Sequence, residues 1–410
     1  MSSRRVVTGS EDGTAKVWAF DERQVQCCEA VLTGGAAGDE SWQGHGAGIT
    51  SVSFAPSGAA DDGLILTSAK DNGARIWQQD GRLKLVLPAE KAAAAAAEEP
   101  LRRSRSRLRA EPQEVDAGLL RGHSDYVNAA VWSRRDSDAG ELVLTCSDDG
   151  TAVIWNAETG LRASTLHDAS AGHSGPVVMA TWSGHASLDL ILTCSHDRSC
   201  ILWDAQCGTA SRTLPLPQQE GHREAVWSAR FSPDDALVLS TSKDGTAKVW
   251  DTATGHCRQT LTGHNDMVFQ GVWNPLDPNQ VLTCSLDGSA KLWDLREQPA
   301  SHTTLDQHKG CVWSAVYGSD PRTILTASHD MTALVYDQRL RLPKHTLAGH
   351  TGVLWQASLS ADDQWVVTCS EDTTARVWNL QTGARRPPCH TLRLGQSSHS
   401  QAVTCAAFKE

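Results

Sequence analysis

No run of this 410-residue chain is long and apolar enough to suggest a membrane-crossing helix, and MSSRR leads straight into VVTGS with no apolar leader between them. Neither a membrane span nor a signal peptide is expected. C-x-x-C spacing is absent, and so are G-x-S-x-G, H-E-x-x-H and the Walker pattern. The sequence therefore lacks the nucleophile elbow, the paired-histidine zinc site and the phosphate cradle of many hydrolases and nucleotide enzymes. Positive charge is short as well, 37 Lys and Arg against 48 Asp and Glu for a net −11, which argues against wholesale nucleic-acid binding. Neither a metal nor a cofactor is expected.

What the chain does have is repetition. Val281 to Asp294, VLTCSLDGSAKLWD, is a short apolar run, an Asp-Gly turn, a second run and a Trp-Asp pair, and nearly the same stretch occurs eight times. The turn aspartates are Asp12, Asp71, Asp149, Asp197, Asp244, Asp287, Asp330 and Asp372. Six residues after each comes an aromatic: Trp18, Trp77, Trp155, Trp203, Trp250, Trp293, Tyr336 or Trp378. Two residues before each comes a serine, from Ser10 to Ser370, except at Ala69. A histidine stands ahead of seven units, at His45, His123, His173, His222, His264, His308 and His350, while His399 has no such stretch after it. Each unit reads as a β-hairpin on a tight Asp-Gly reversal. From Trp203 onward the aromatics are 47, 43, 43 and 42 residues apart. That period suits one four-stranded propeller blade, a unit that buries its faces only by stacking on neighbours.

The glycine-histidine pairs, the S-x-D turns and the closing Trp-Asp resemble WD40 repeats over almost the whole chain. The resemblance implies an all-β, closed propeller of eight blades, one of them built from both termini, and a single domain over residues 1–410. It also implies a hydrogen-bonded His–Ser–Asp–Trp tetrad in each blade: His264, Ser285, Asp287 and Trp293 in blade six, and His399, Ser10, Asp12 and Trp18 where the ends meet. His399 is followed by AVTCAAF, like the first strands elsewhere, and the unit at Ser10–Trp18 has no first strand of its own. Blade two departs from the pattern at Ala69 and blade seven at Tyr336.

Other positions read as packing or linker. Cys146, Cys194, Cys284 and Cys369 each sit three residues before a turn aspartate, where other repeats have Gly9, Ser68, Thr241 or Ala327. Such a slot wants a small buried side chain, so the thiols are structural and the compartment is reducing. A cytoplasmic location is expected, with the nucleus as the alternative. Gly34–Gly44 is a glycine-rich loop. Ala89–Gly118 carries six consecutive alanines and then PLRRSRSRLRAEP, a polar, arginine-rich stretch that reads as a disordered insertion between blades, with Ser104 and Ser106 as candidate phosphorylation sites.

A catalytic reading of the aspartates and histidines fails because they recur in every blade, whereas a catalytic site occurs once. A hydrolase using the central channel needs one cluster of carboxylates or histidines that nothing singles out. Function is therefore sought where the blades differ. The resemblance implies ligand binding at the face holding the turns between second and third strands. Five residues after each histidine the sequence gives Thr50, Asn128, Val178, Trp227, Phe269, Trp313, Trp355 and Thr404, so four consecutive blades present a large aromatic. Met267, Leu286, Lys243, His329 and Glu371 are expected around them. Aromatics ringed by charge suit a binding hot spot, and the expected function is a non-enzymatic scaffold for a protein or peptide within a multiprotein complex. An alternative comes from WDLR at Trp293–Arg296 and YDQR at Tyr336–Arg339. Trp-Asp-x-Arg resembles the motif by which WD40 substrate receptors dock on a cullin-RING ubiquitin ligase adaptor. Here that assigns docking to Trp293, Asp294 and Arg296, with Asp337 and Arg339 in the next blade.

Overall fold

The computed structural model describes residues 4–20, 25–32, 44–56, 63–87, 122–133, 141–167, 172–184, 189–216, 219–340, 342–382, 384, 387, 389–392 and 399–409. Gly34–Gly44 (but for its last residue), the Ala89–Gly118 insertion, Ser104 and Ser106 lie outside them. The described residues form thirty-two strands in eight four-stranded antiparallel sheets and a single turn of 3-10 helix at Leu380–Thr382. Seven sheets are contiguous in the chain, over residues 49–87, 127–166, 177–214, 226–261, 268–305, 312–348 and 354–392. The eighth, blade one, takes Arg4–Ser10, Ala15–Phe20 and Val25–Leu32 from one end of the chain and Val403–Phe408 from the other. The first strands of successive blades touch one another around the whole circle, so the fold is an eight-bladed propeller closed by its own termini.

Strand composition follows position in the blade. Second strands such as Gln280–Ser285 and third strands such as Ala290–Asp294 are buried nearly throughout, because both faces pack against neighbouring blades. Their near-continuous apolar runs reflect that two-sided burial. Fourth strands such as Cys257–Leu261 alternate with the polar side outward. The cysteine slot is fully buried at Cys146, Cys194, Cys284 and Cys369, and burial pushes the Cys146 and Cys284 thiols up to about 12.

The central turn is wider than the two-residue reversal expected from Asp-Gly. In blade six Ser285 N–H donates to Ser289 O at 3.1 Å and Gly288 N–H to Ser285 O at 3.3 Å, with Gly288 at φ 85°. This is a type I turn followed by a left-handed residue, the usual three-residue hairpin loop. Asn72, Arg198, Met331 and Thr373 take the left-handed position in blades two, four, seven and eight, at φ 65°, 76°, 65° and 67°.

The seam at the termini is heavily tied. Val6, Val7, Thr8 and Gly9 pair with Phe408, Ala407, Ala406 and Cys405. Phe20 meets both Trp365 and Phe408 edge-on, at 5.2 and 6.1 Å between centroids. The Arg4 guanidinium pairs with Asp362 at 2.5 Å and lies over Trp365.

Candidate functional site

The recurring polar residues of each unit converge on one buried chain of hydrogen bonds, but the hydroxyl in it is not the expected serine. In blade six Trp293 Nε1–H donates to Thr283 Oγ1 at 2.8 Å, and His264 Nε2 lies 2.8 Å from the same oxygen. His264 Nδ1 is 2.9 Å from Asp287. Hydrogen bonds from Ser289, Asn265 N–H and His264 outweigh desolvation and hold Asp287 at about 2. The ionised carboxylate accepts from Nδ1–H, so Nε2 accepts from the Thr283 hydroxyl and Thr283 accepts from the indole. Ser285 instead caps the turn: its Oγ accepts from Asp287 N–H at 3.0 Å and donates to Asp266 O at 3.1 Å. Where the ends meet, Thr8 takes the place assigned to Ser10. Trp18 Nε1 and His399 Nε2 each lie 2.9 Å from Thr8 Oγ1, Asp12 lies 3.5 Å from His399, and Ser10 donates to Gln401 O at 3.2 Å.

That correction removes the irregularity expected at Ala69. Thr67 sits between His45 and Trp77, at 2.8 Å from each, so blade two has the whole chain of bonds and lacks only the turn cap. In blade seven His308 reaches Thr326 at 2.7 Å, but the Tyr336 hydroxyl is buried without a partner among the described residues. A signal in the sequence could have found the right hydroxyl. Four residues before every turn aspartate stands Thr or Ser: Thr8, Thr67, Thr145, Thr193, Ser240, Thr283, Thr326 and Thr368.

The residues expected on the binding face lie on one rim. Leu286 N–H donates to Met267 O, Lys243 N–H to Ala225 O, His329 N–H to Cys311 O and Glu371 N–H to Val353 O, at 2.8–3.0 Å. The residue before each turn aspartate is thereby held beside the loop that follows each histidine. Lys243, His329 and Glu371 are exposed, and Leu286 and Met267 half-buried.

The position five residues after the histidine is a β-bulge in every blade, which sequence reasoning did not foresee. Val226 pairs with Ser242 and Ser228 with Thr241, leaving Trp227 as the extra residue. Phe269, Trp313 and Trp355 are left over in the same way, as are Thr50, Asn128, Val178 and Thr404. A bulge turns one side chain away from the pleat. In blades one to three that side chain bonds across the seam: Thr404 to Ile49 O, Thr50 to Val127 O and Asn128 to Val177 O, at 2.6–2.9 Å. In blades five to eight the bulged rings touch one another instead. Centroid separations are 5.6 Å for Trp227–Phe269, 5.1 Å for Phe269–Trp313 and 5.3 Å for Trp313–Trp355, and His196 extends the arc with a 4.7 Å contact to Trp227. Trp227, Phe269 and Trp313 are half-buried and Trp355 is 36% exposed. Trp227 Nε1, Trp313 Nε1 and His196 Nε2 are sealed, without a hydrogen-bond partner among the described residues.

Of the side chains assigned to docking in the WDLR and YDQR segments, those of Arg296 and Arg339 are exposed and those of Asp294 and Asp337 half-buried. Trp293 is 2% exposed and bonded to Thr283. The Arg296 guanidinium is held by Asp277 at 2.6 Å and Asp294 at 3.0 Å. Asp337 turns back to accept from Arg339 N–H at 3.0 Å. Both segments end third strands that begin at the rim turns, so they lie at the opposite end of the blades. Among the described residues no group of three His, Cys, Asp or Glu could hold a metal ion, and no helix is long and apolar enough to cross a membrane.

A family model described as "WD domain, G-beta repeat" matches residues 2–19, 40–78, 116–156, 165–204, 213–251, 255–294, 300–337 and 341–379. Among curated proteins the chain is 37% identical over 158 residues to "Nuclear distribution protein PAC1-2" of Uncinocarpus reesii, covering 36% of this chain and 32% of that protein. It is 31% identical over 163 residues to "Probable E3 ubiquitin ligase complex SCF subunit sconB" of Aspergillus clavatus, covering 38% and 22%. It is 25% identical over 286 residues to "Ribosome biogenesis protein ytm1" of Neosartorya fischeri, covering 67% and 51%. The matches thus span about half or less of the relatives' own lengths.

Proposed function

This chain belongs to the WD40 family, and from that membership we propose that it is a non-enzymatic platform that binds a protein or peptide partner on the rim carrying the bulged aromatics. The reading covers residues 1–410 as one scaffold working inside a multiprotein complex, in the cytoplasm or nucleus. It agrees with relatives whose names place them in a ubiquitin ligase complex and in ribosome biogenesis. The observation that carries it is the arc His196–Trp227–Phe269–Trp313–Trp355. Thr404, Thr50 and Asn128 knit their seams together by hydrogen bonds, whereas the aromatic blades give the same position to rings that bond nothing across the seam. A sealed, unpaired donor costs about 1–3 kcal/mol. The rim is therefore lopsided, and a ligand sits over blades five to eight, away from the axis.

Trp355→Ala and Trp313→Ala test the reading. Hot-spot residues cost about 2 kcal/mol or more in binding when truncated. Proteins captured from extract by the wild-type chain should fall away with either variant while the melting temperature holds. A sharp drop in melting temperature with capture unchanged would make the arc packing and nothing more.

A further inference from the structure

We infer that blade four carries an oxidisable dithiol, Cys194 with Cys200, which hydrogen peroxide closes to a disulfide when the turn between them opens. The inference does not depend on what binds the rim. Three observations converge. The first is a departure from the repeat. Three residues after the turn aspartate seven blades have alanine, from Ala15 to Ala375, and blade four has Cys200. Across the hairpin from it stands Cys194, in the slot that Cys146, Cys284 and Cys369 fill opposite alanines.

The second is register. Cys194 pairs directly with Cys200, and both side chains enter one buried cluster between blades four and five. Ser195 N–H donates to Ser199 O at 3.1 Å, so the next pair along the strands is a non-hydrogen-bonded one. Opposed α-carbons in such a pair are about 4.5 Å apart, within the span of a disulfide.

The third is the turn that joins them. Arg198 holds its left-handed position at φ 76°, where Gly245 and Gly288 stand in blades five and six. Glycine adopts that conformation without penalty and a side chain does not. Asn72, Met331 and Thr373 also carry side chains there, but none of their turns has a thiol on both sides. In the turn of blade four His196 Nε2 is also sealed, without a partner among the described residues. This turn therefore opens at lower cost than its glycine-bearing equivalents.

Closed, the pair is inert. Cys194 and Cys200 are 0% and 1% exposed, and burial above all raises both thiols beyond their ordinary value. The thiolate, which is the reacting form, is scarce there. In the open turn one thiol gives its proton to water, and its thiolate attacks a peroxide oxygen. The O–O bond breaks, and hydroxide leaves and takes up that proton. The second thiol attacks the resulting sulfenic sulfur, the S–O bond breaks, and water leaves. Two thiols and one peroxide become one disulfide and two waters, sulfur oxidised and oxygen reduced. His196, two residues after Cys194, is the ring that meets Trp227, so the bond forms beneath one end of the aromatic arc.

The test treats the full, reduced chain with hydrogen peroxide, quenches with N-ethylmaleimide and maps the thiols by mass spectrometry after digestion without reductant. Cys194 and Cys200 should be recovered joined, and dithiothreitol should free both. Cys284, in the same slot opposite Ala290, should remain a thiol. Cys200→Ala, which restores the residue of the other seven blades, should abolish the bond. Arg198→Gly should slow its formation about fivefold, because the open turn becomes rarer. Cys194 joined to Cys146 instead would overturn the proposal. So would Cys194 and Cys200 both free after the exposed Cys207 has been consumed. A rate unchanged by Arg198→Gly, or a bond that forms only in urea, would overturn it as well.

Discussion

Thr283→Val replaces a hydroxyl with a methyl at nearly constant volume, at a residue with no solvent exposure. The wild-type oxygen accepts from Trp293 and donates to His264, both at 2.8 Å. Valine fills the space and leaves two buried groups, an indole N–H and an imidazole nitrogen, without partners. Each such loss costs about 1–3 kcal/mol, so the variant should be destabilised by about 2–6 kcal/mol. Thr283→Ser keeps both bonds and removes one methyl, a loss of about 1 kcal/mol. Blade five already uses Ser240 in this role, at 2.7 Å from His222 and 2.8 Å from Trp250. Ser285→Ala, which removes the turn cap alone, should cost about 1 kcal/mol. Urea unfolding followed by tryptophan fluorescence ranks the three. The reasoning fails if Thr283→Val unfolds with Thr283→Ser, or if Ser285→Ala proves the most damaging.

Further outcomes follow from the same contacts. Burial lowers His45, His222, His264, His350 and His399 from their ordinary value against the pull of their aspartates. The unfolded chain then binds more protons below about pH 6.5, so stability present above that pH should fall as pH drops through 6 toward 5. The tetrad aspartates are held low, Asp287 at about 2, and should add a second loss below about pH 4; a melting temperature flat from pH 7 to 4 contradicts both. Tyr336→Trp should return an indole donor to Thr326 and stabilise blade seven by about 1 kcal/mol, read as a rise in melting temperature. Deleting residues 401–410 removes the strand that pairs with Val6–Ser10 and should lower the melting temperature of the whole ring; melting like the full chain would contradict closure by the termini.

The ring itself was legible because its determinants are local and repeated. Turn aspartates, closing aromatics and histidines keep their spacing, and the orphan His399 strand named its partner at the other end. The tetrad hydroxyl was misread because Thr283 and Ser285 share a strand face, two residues apart, and only the indole's reach decides between them. The bulges were not legible, since a bulge exists in the pairing of two strands and no residue type marks it: Thr, Asn, Val, Phe and Trp all occupy it. Arg198 and Met331 could have been flagged, because each stands where the glycine of the turn belongs.

The central claim is that the partner sits on the rim of Lys243 and Trp355. It is tested most directly by a photo-crosslinking amino acid placed at Lys243 and, separately, at the exposed Leu340 beyond the third strand of blade seven. Irradiated in cells, the substitution at 243 should give discrete protein adducts that disappear when Trp355→Ala is added, while the substitution at 340 should not give those adducts. Adducts from 340 alone, or adducts at 243 that persist with Trp355→Ala, would contradict the account.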